Sequence, residues 1–171
     1  IEGVDTRALT RHLRTQGAMR GAISTEELDP DHLVTRVKQS PSMLGRNLAQ
    51  EAAGDEIHHY GKSKDKAHVV LIDTGRKQEM IRDLVARGVW VTTVPYTQGL
   101  VSVLDMDPDG VLLSNGPGDP EPLDEAVTLI RALLERRVPV AGICLGHQLL
   151  GLAVGGSTYK MRFGHRGVNH P

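Results

Sequence analysis

The feature that most constrains the fold is an alternation beginning near residue 67. Short apolar runs, each closed by a turn, alternate with longer segments of helical spacing. His68-Val69-Val70-Leu71-Ile72 ends in Asp73-Thr74-Gly75. Residues 77–87 set Met80, Ile81, Leu84 and Val85 at helical intervals and stop at Gly88. A strand at 89–94 closes on Pro95, and another at 110–113 opens into Ser114-Asn115-Gly116-Pro117-Gly118-Asp119-Pro120. A helix over 124–137 puts Ala126, Val127, Ile130, Leu133 and Leu134 on one face. A strand at 138–143 and a helix at 145–154, stopped by Gly155-Gly156, complete the series. Strands alternating with helices predict an α/β fold with an open, mostly parallel sheet and flanking helices. Ligands of such sheets sit beyond the carboxyl ends of the strands. The loops at those ends are Asp73-Thr74-Gly75, Pro95-Tyr96, residues 114–120 and Cys144-Leu145-Gly146.

The first 66 residues have a different texture. Leu9 and Leu13, four apart, predict a helix over 6–15 with Asp5 or Thr6 as its cap. A short strand is expected at Ala22-Ile23-Ser24, and Pro30 suits the first turn of a second helix over 31–39. Residues 51–66 are polar, aperiodic and mixed in charge, which reads as a connector. The expected organisation is a smaller unit over 1–50, a linker over 51–66 and an α/β domain over 67–171. With 20 Lys and Arg against 21 Asp and Glu, the net charge of −1 argues against a nucleic-acid or anionic-lipid partner. No apolar run approaches the ~20 residues of a membrane span, and the start lacks a signal peptide's basic and apolar regions. Cys144 is the only cysteine, so no disulfide forms within the chain, and a reducing cytoplasm is the expected setting. The eight histidines form no ligand pattern, so no metal site is expected.

Gly142-Ile143-Cys144-Leu145-Gly146 places that cysteine between a strand and a helix, with a glycine two residues away on each side. A nucleophile on a sharp strand-to-helix turn needs such small neighbours, and here Cys stands where Ser is commoner. The helix N-terminus supplies partial positive charge and free N–H groups, which favour the reactive thiolate. The N–H of Leu145 can meet a developing oxyanion. Gly116 and Gly118, around Pro117, can expose backbone N–H groups in an anion-binding concavity. A buried inert cysteine and a plain turn are the competing readings. The glycine loop does not match a phosphate-binding loop, so nucleotide binding by that route is unsupported. His147 lies on the cysteine's own helix, poorly placed for a base that must face it, and Gln148 can offer an amide to a polar substrate.

Gly142-Ile143-Cys144-Leu145-Gly146-His147-Gln148 resembles the nucleophile motif of class I glutamine amidotransferases, and Asn115-Gly116-Pro117-Gly118-Asp119-Pro120 resembles that family's oxyanion loop. Gly3-Val4-Asp5-Thr6-Arg7-Ala8-Leu9-Thr10, Phe163-Gly164-His165-Arg166-Gly167 and Asn169-His170-Pro171 are similar to the small, glutamine-hydrolysing subunits of carbamoyl-phosphate synthetases. Gly45-Arg46-Asn47-Leu48 shares the likeness more weakly, and together these segments cover essentially the whole chain. The resemblance implies that residues 1–50 end an N-terminal domain and that an amidotransferase domain begins near residue 67. It implies that Cys144 attacks the side-chain carboxamide of L-glutamine, releasing ammonia and leaving a γ-glutamyl thioester for hydrolysis. It assigns Gly116, Gly118 and Leu145 to the glutamine and oxyanion site and sets Gln148 against the substrate. The implied partner is the synthetase large subunit in a heterodimer. That subunit would hold ATP and Mg2+ and make carbamoyl phosphate for arginine and pyrimidine synthesis. No cofactor is expected in this chain.

Two departures accompany the likeness. The family's general base, a His oriented by a Glu two residues later, belongs to a segment downstream of the Gly-His-Arg-Gly stretch, and the chain stops at Pro171. An internal fragment, inactive in isolation, is therefore expected; His165 and His170 do not match the base motif. Val168 stands where the family usually has a second Gly. A different amidotransferase, such as that of GMP or anthranilate synthesis, is a competing reading that the Asp5-Thr6-Arg7 region opposes. A non-catalytic interaction module with an amidotransferase-like fold is another.

Overall fold

The computed structural model describes residues 2–62 and 66–164. These fall into two compact units, residues 2–42 with 159–164 and residues 43–158. The first unit contains α1 (Thr6–Gln16) and α2 (Pro30–Gln39). Both begin where sequence rules place them. The Asp5 carboxylate accepts from the Ala8 N–H, and Asp29 accepts from Asp31 and His32 ahead of a first-turn proline. Neither helix has a buried residue, and Leu9 and Leu13 are 50% and 36% exposed. The strand expected at 22–24 does not form. A strand needs a partner for its N–H and C=O groups, and the described residues of this unit contain no other strand.

The second unit is a five-stranded sheet with helices on both faces. Its elements are α3 (Ala49–Ala52), β1 (His58–Tyr60), β2 (Ala67–Asp73), α4 (Gln78–Ala86), β3 (Val89–Pro95), α5 (Leu100–Leu104), β4 (Gly110–Leu113), α6 (Asp124–Glu135), β5 (Val140–Gly142) and α7 (Leu145–Ala153). The spatial order is β1-β3-β2-β4-β5, parallel except for β1, which runs antiparallel to β3. This is the α/β architecture that the alternation predicts. The register sets Val70 beside Thr92 and Val111, and Ile72 beside Val94 and Leu113. Side chains alternate between faces along a strand. Val70, Ile72, Val111 and Leu113 pack with Ile130, Leu133, Leu145 and Leu149 of α6 and α7. Leu71 and Val91 pack on Ile81 of α4 on the other face. Each such fully buried aliphatic side chain contributes about 1.5–3 kcal/mol.

Residues 58–60 lie in the stretch read as a connector, yet they form β1. Side chains hold this edge strand as well as backbone pairing does. His59 Nδ1 lies 3.0 Å from Thr92 Oγ1, which His68 Nε2 reaches from β2 at 2.8 Å. The short helix α5 was also not expected. No helix among the described residues is long and apolar enough to cross a membrane.

Candidate active site

After the antiparallel edge strand β1, the parallel strands start at β2, move out to β3, then cross to β4 on the other side of β2. Such a reversal opens a crevice at the carboxyl ends of the strands. The loops after β2 and β4 face each other there, and the turn after β5 lies beside the β4 loop.

That last turn is strained. Cys144 has φ 55° and ψ −111°, a left-handed φ that costs a side-chain-bearing residue free energy. The two flanking glycines make the turn sterically feasible. A methyl group on Gly142 would overlap the carbonyl oxygen of Gly146, and one on Gly146 would lie 2.5 Å from the carbonyl oxygen of Leu113. The turn is fastened to β4 by Ile143 N–H on Leu113 O at 3.1 Å and Gly146 N–H on Ser114 O at 3.0 Å. Cys144 itself is exposed, which disposes of the buried, inert alternative. Its thiol therefore stands at the start of α7, on the positive end of that helix.

Gly116 brings the second motif to the same place. A methyl group on it would overlap the carbonyl oxygen of Thr74 and lie 2.8 Å from Leu145 Cδ2. The glycine loop and the first residue of α7 are thus in contact through Gly116 and Leu145. Leu145 is buried to 2% exposure, and its N–H belongs to the first turn, which has no intrahelical acceptor. The N–H groups of Gly116 and Gly118 likewise donate to no acceptor among the described residues. Gly118 has φ 91°, and a methyl group on it would lie 3.1 Å from Leu48 Cβ; the next carboxylate, Asp119 Oδ2, accepts from Gly45 N–H at 2.9 Å. Gln148 is one turn along α7, its N–H on Cys144 O at 3.1 Å and its side chain exposed. His147, beside it, is exposed too. Of the expected site residues, Gly116 and Leu145 meet across the two loops, and Cys144 immediately precedes Leu145 at the start of α7. Gly118 follows two residues on in the glycine loop, and Gln148 lies one turn along α7. His165, His170 and Val168 lie outside the described residues.

Three features escape the sequence reading. Asp73, 2% exposed, binds the N–H groups of Gly75 and Arg76 through Oδ1, both at 2.9 Å. Its Oδ2 accepts from Gly54 N–H at 3.1 Å and pairs with the Arg76 guanidinium. An Asp directly after an apolar strand and before a Gly signals such a turn. The fully buried hydroxyls of Thr74 and Ser114 lie 3.1 Å apart and bond across the two loops, a pairing no local pattern announces. The Asn115 side chain spans the same gap.

The Glutamine amidotransferase class-I family profile matches residues 70–171. The carbamoyl phosphate synthase small chain of Thermotoga maritima is 57% identical over 171 residues, covering all of this chain and 43% of the relative. Its counterpart in Syntrophotalea carbinolica is 48% identical over 184 residues, covering all of this chain and 49% of the relative. That of Methanopyrus kandleri is 46% identical over 175 residues, covering all of this chain and 48% of the relative. The chain thus spans less than half the length of these relatives. The family match holds the elbow, the glycine loop and all the strands from β3 onward, and with it the chain belongs to the class I glutamine amidotransferases.

Proposed function

We propose that this chain carries the nucleophilic part of a glutamine-hydrolysing site that feeds ammonia to a carbamoyl-phosphate synthase. The observation that carries the reading is Cys144: an exposed thiol held at φ 55° on a strand-to-helix turn whose flanking glycines leave no room for a methyl group. The similarity along the whole chain to carbamoyl phosphate synthase small chains supports the assignment to that synthase. In this reading the Cys144 thiolate adds to the carboxamide carbon of L-glutamine. The N–H groups of Leu145, Gly116 and Gly118 receive the oxyanion, and the Gln148 amide orients the substrate. The intermediate collapses as the amide nitrogen takes a proton and leaves as ammonia. Water then hydrolyses the γ-glutamyl thioester and restores the thiol.

General-base help, worth ~10²–10⁴-fold, comes in this reading from a His–Glu pair of the small chain outside the 171 residues. ATP and Mg2+ belong to the large-chain partner, which turns the ammonia into carbamoyl phosphate for arginine and pyrimidine synthesis. A reducing cytoplasm keeps the single thiol free.

The test uses the full small chain assembled with its large chain. Cys144→Ser is expected to lower glutamine-dependent synthesis by ~10³-fold or more while synthesis from free ammonia stays within about twofold. An electrophilic glutamine analogue should label wild-type Cys144 and block the same activity. Loss of both activities in the Cys144→Ser protein would assign the cysteine a structural role. Normal assembly with the large chain without labelling would favour the interaction module.

A further inference from the structure

Asn115 opens the glycine loop, and its carboxamide is used on both ends. Oδ1 accepts from the Lys77 N–H at 3.0 Å, and Nδ2 donates to the Gly75 carbonyl oxygen at 3.3 Å. These partners admit only one orientation of the amide, oxygen to the N–H and nitrogen to the carbonyl. The Asn115 backbone is held from the same side. Its carbonyl accepts from Ser114 Oγ at 2.7 Å and lies 3.2 Å from Thr74 Oγ1. The far side of the clasp is itself rigid, because Asp73 binds the N–H groups of Gly75 and Arg76. The clasp also serves α4, whose own cap residue Lys77 makes no side-chain capping bond. Beyond Asn115 the loop has no internal backbone hydrogen bond until Leu123 N–H reaches Pro120 O at 3.1 Å. The direction of the Gly116 N–H is therefore set from Asn115, one residue before it, and from the close approach of Gly116 to Thr74 O.

We infer that Asn115 is a positioning residue: its side chain locks the glycine loop onto the β2–α4 turn and so aims the Gly116 N–H at the oxyanion formed above Cys144. The inference rests on the glutaminase reading proposed above. A donor that acts on the oxyanion acts in the transition state, so misaiming it lowers kcat more than it raises KM. Outright loss of an oxyanion donor costs about 10²–10³-fold; a donor displaced but not removed costs less.

The experiment compares wild type, Asn115→Asp and Asn115→Ala in the assembled full-length small and large chains. Asn115→Asp is nearly isosteric and keeps the acceptor for Lys77 N–H, but it turns a carboxylate oxygen toward the Gly75 carbonyl. Glutaminase kcat is expected to fall roughly 10- to 100-fold in both variants, with KM changed less than about threefold. Alkylation of Cys144 by iodoacetamide and synthesis from free ammonia should stay within about twofold of wild type. A kcat within twofold of wild type, a change confined to KM, or a parallel fall in ammonia-dependent synthesis would each overturn the inference. A wild-type assembly without glutaminase activity would instead overturn the proposed function, and this inference with it. Asn115→Gln offers a check, since a recovered amide that reaches the same partners should restore part of kcat in a loop held by that clasp. Less activity in Asn115→Gln than in Asn115→Ala would count against it.

Discussion

Cys144 shows what one residue stores. Its φ of 55° and ψ of −111° lie where a side chain costs about 1–3 kcal/mol, and its exposed thiol has little packing to lose. Cys144→Gly should therefore be more stable than Cys144→Ala by about 1 kcal/mol in urea unfolding, the reverse of the usual Gly–Ala order. Equal stabilities, or the usual order, would show that the turn is not strained. Gly142→Ala drives a methyl group into the Gly146 carbonyl, backbone against backbone, where no flexible side chain can yield. We expect a loss of about 1–3 kcal/mol together with loss of labelling by a glutamine analogue at Cys144. Unchanged labelling would mean that the elbow tolerates widening. At this scale the cysteine and its glycines were legible in the sequence, because their requirement is local: a sharp turn needs small neighbours. The clasp of Asn115 was not, because its partners Lys77 and Gly75 lie 38 and 40 residues away, and of the Asp73 bonds only the one to Gly54, 19 residues away, lacks a local signal.

Helix α7 carries the nucleophile at one end and is anchored at the other by Arg131 of α6. The guanidinium donates to Ala153 O and Leu152 O, both at 3.2 Å, and places a cation at the negative end of the helix. Arg131→Ala should cost roughly 1 kcal/mol, since the side chain is partly solvated, and Arg131→Lys should recover part of it. A denaturation midpoint unmoved by Arg131→Ala would deny the anchor. Deeper in the same layer, Ile130 is fully buried, and Ile130→Ala should cost about 2–5 kcal/mol. The elements with strong periodicity, α4, α6 and α7, match the sequence reading within a few residues. The Asp5 cap of α1 and the first-turn Pro30 of α2 are equally local and match too. The apolar face expected for α1 is different: spacing puts Leu9 and Leu13 on one side, but only a neighbour can bury them. The polar residues 58–60 became a strand for the complementary reason, that the Thr92 hydroxyl and the open edge of β3 were there to receive them.

Across the molecule, stability should be graded by the number of partners each element has. β2 is paired on both sides, by β3 and β4, and lies beneath helices on both faces. β1 is an edge strand paired only with β3, and α1 and α2 bury no residue at all. Native-state hydrogen exchange should rank the amides of β2 slowest, those of β1 intermediate, and those of α1 and α2 fastest. Protection of α1 equal to that of β2 would contradict this ranking. The α/β class, the run of elements from β2 to α7 apart from the short helix α5, and the cysteine elbow were all legible in the chain alone. Those properties depend on side-chain period, caps and the size of residues within a few positions of one another. Tertiary structure alone decided that β3 and β4 lie on opposite sides of β2, that 58–60 closes one edge, and that Asn115 meets Gly75 and Lys77. Many strand orders satisfy the same apolar periods. Only the matching of two buried faces and the pairing of buried polar groups selects one of them, and those are relations between residues far apart in the chain.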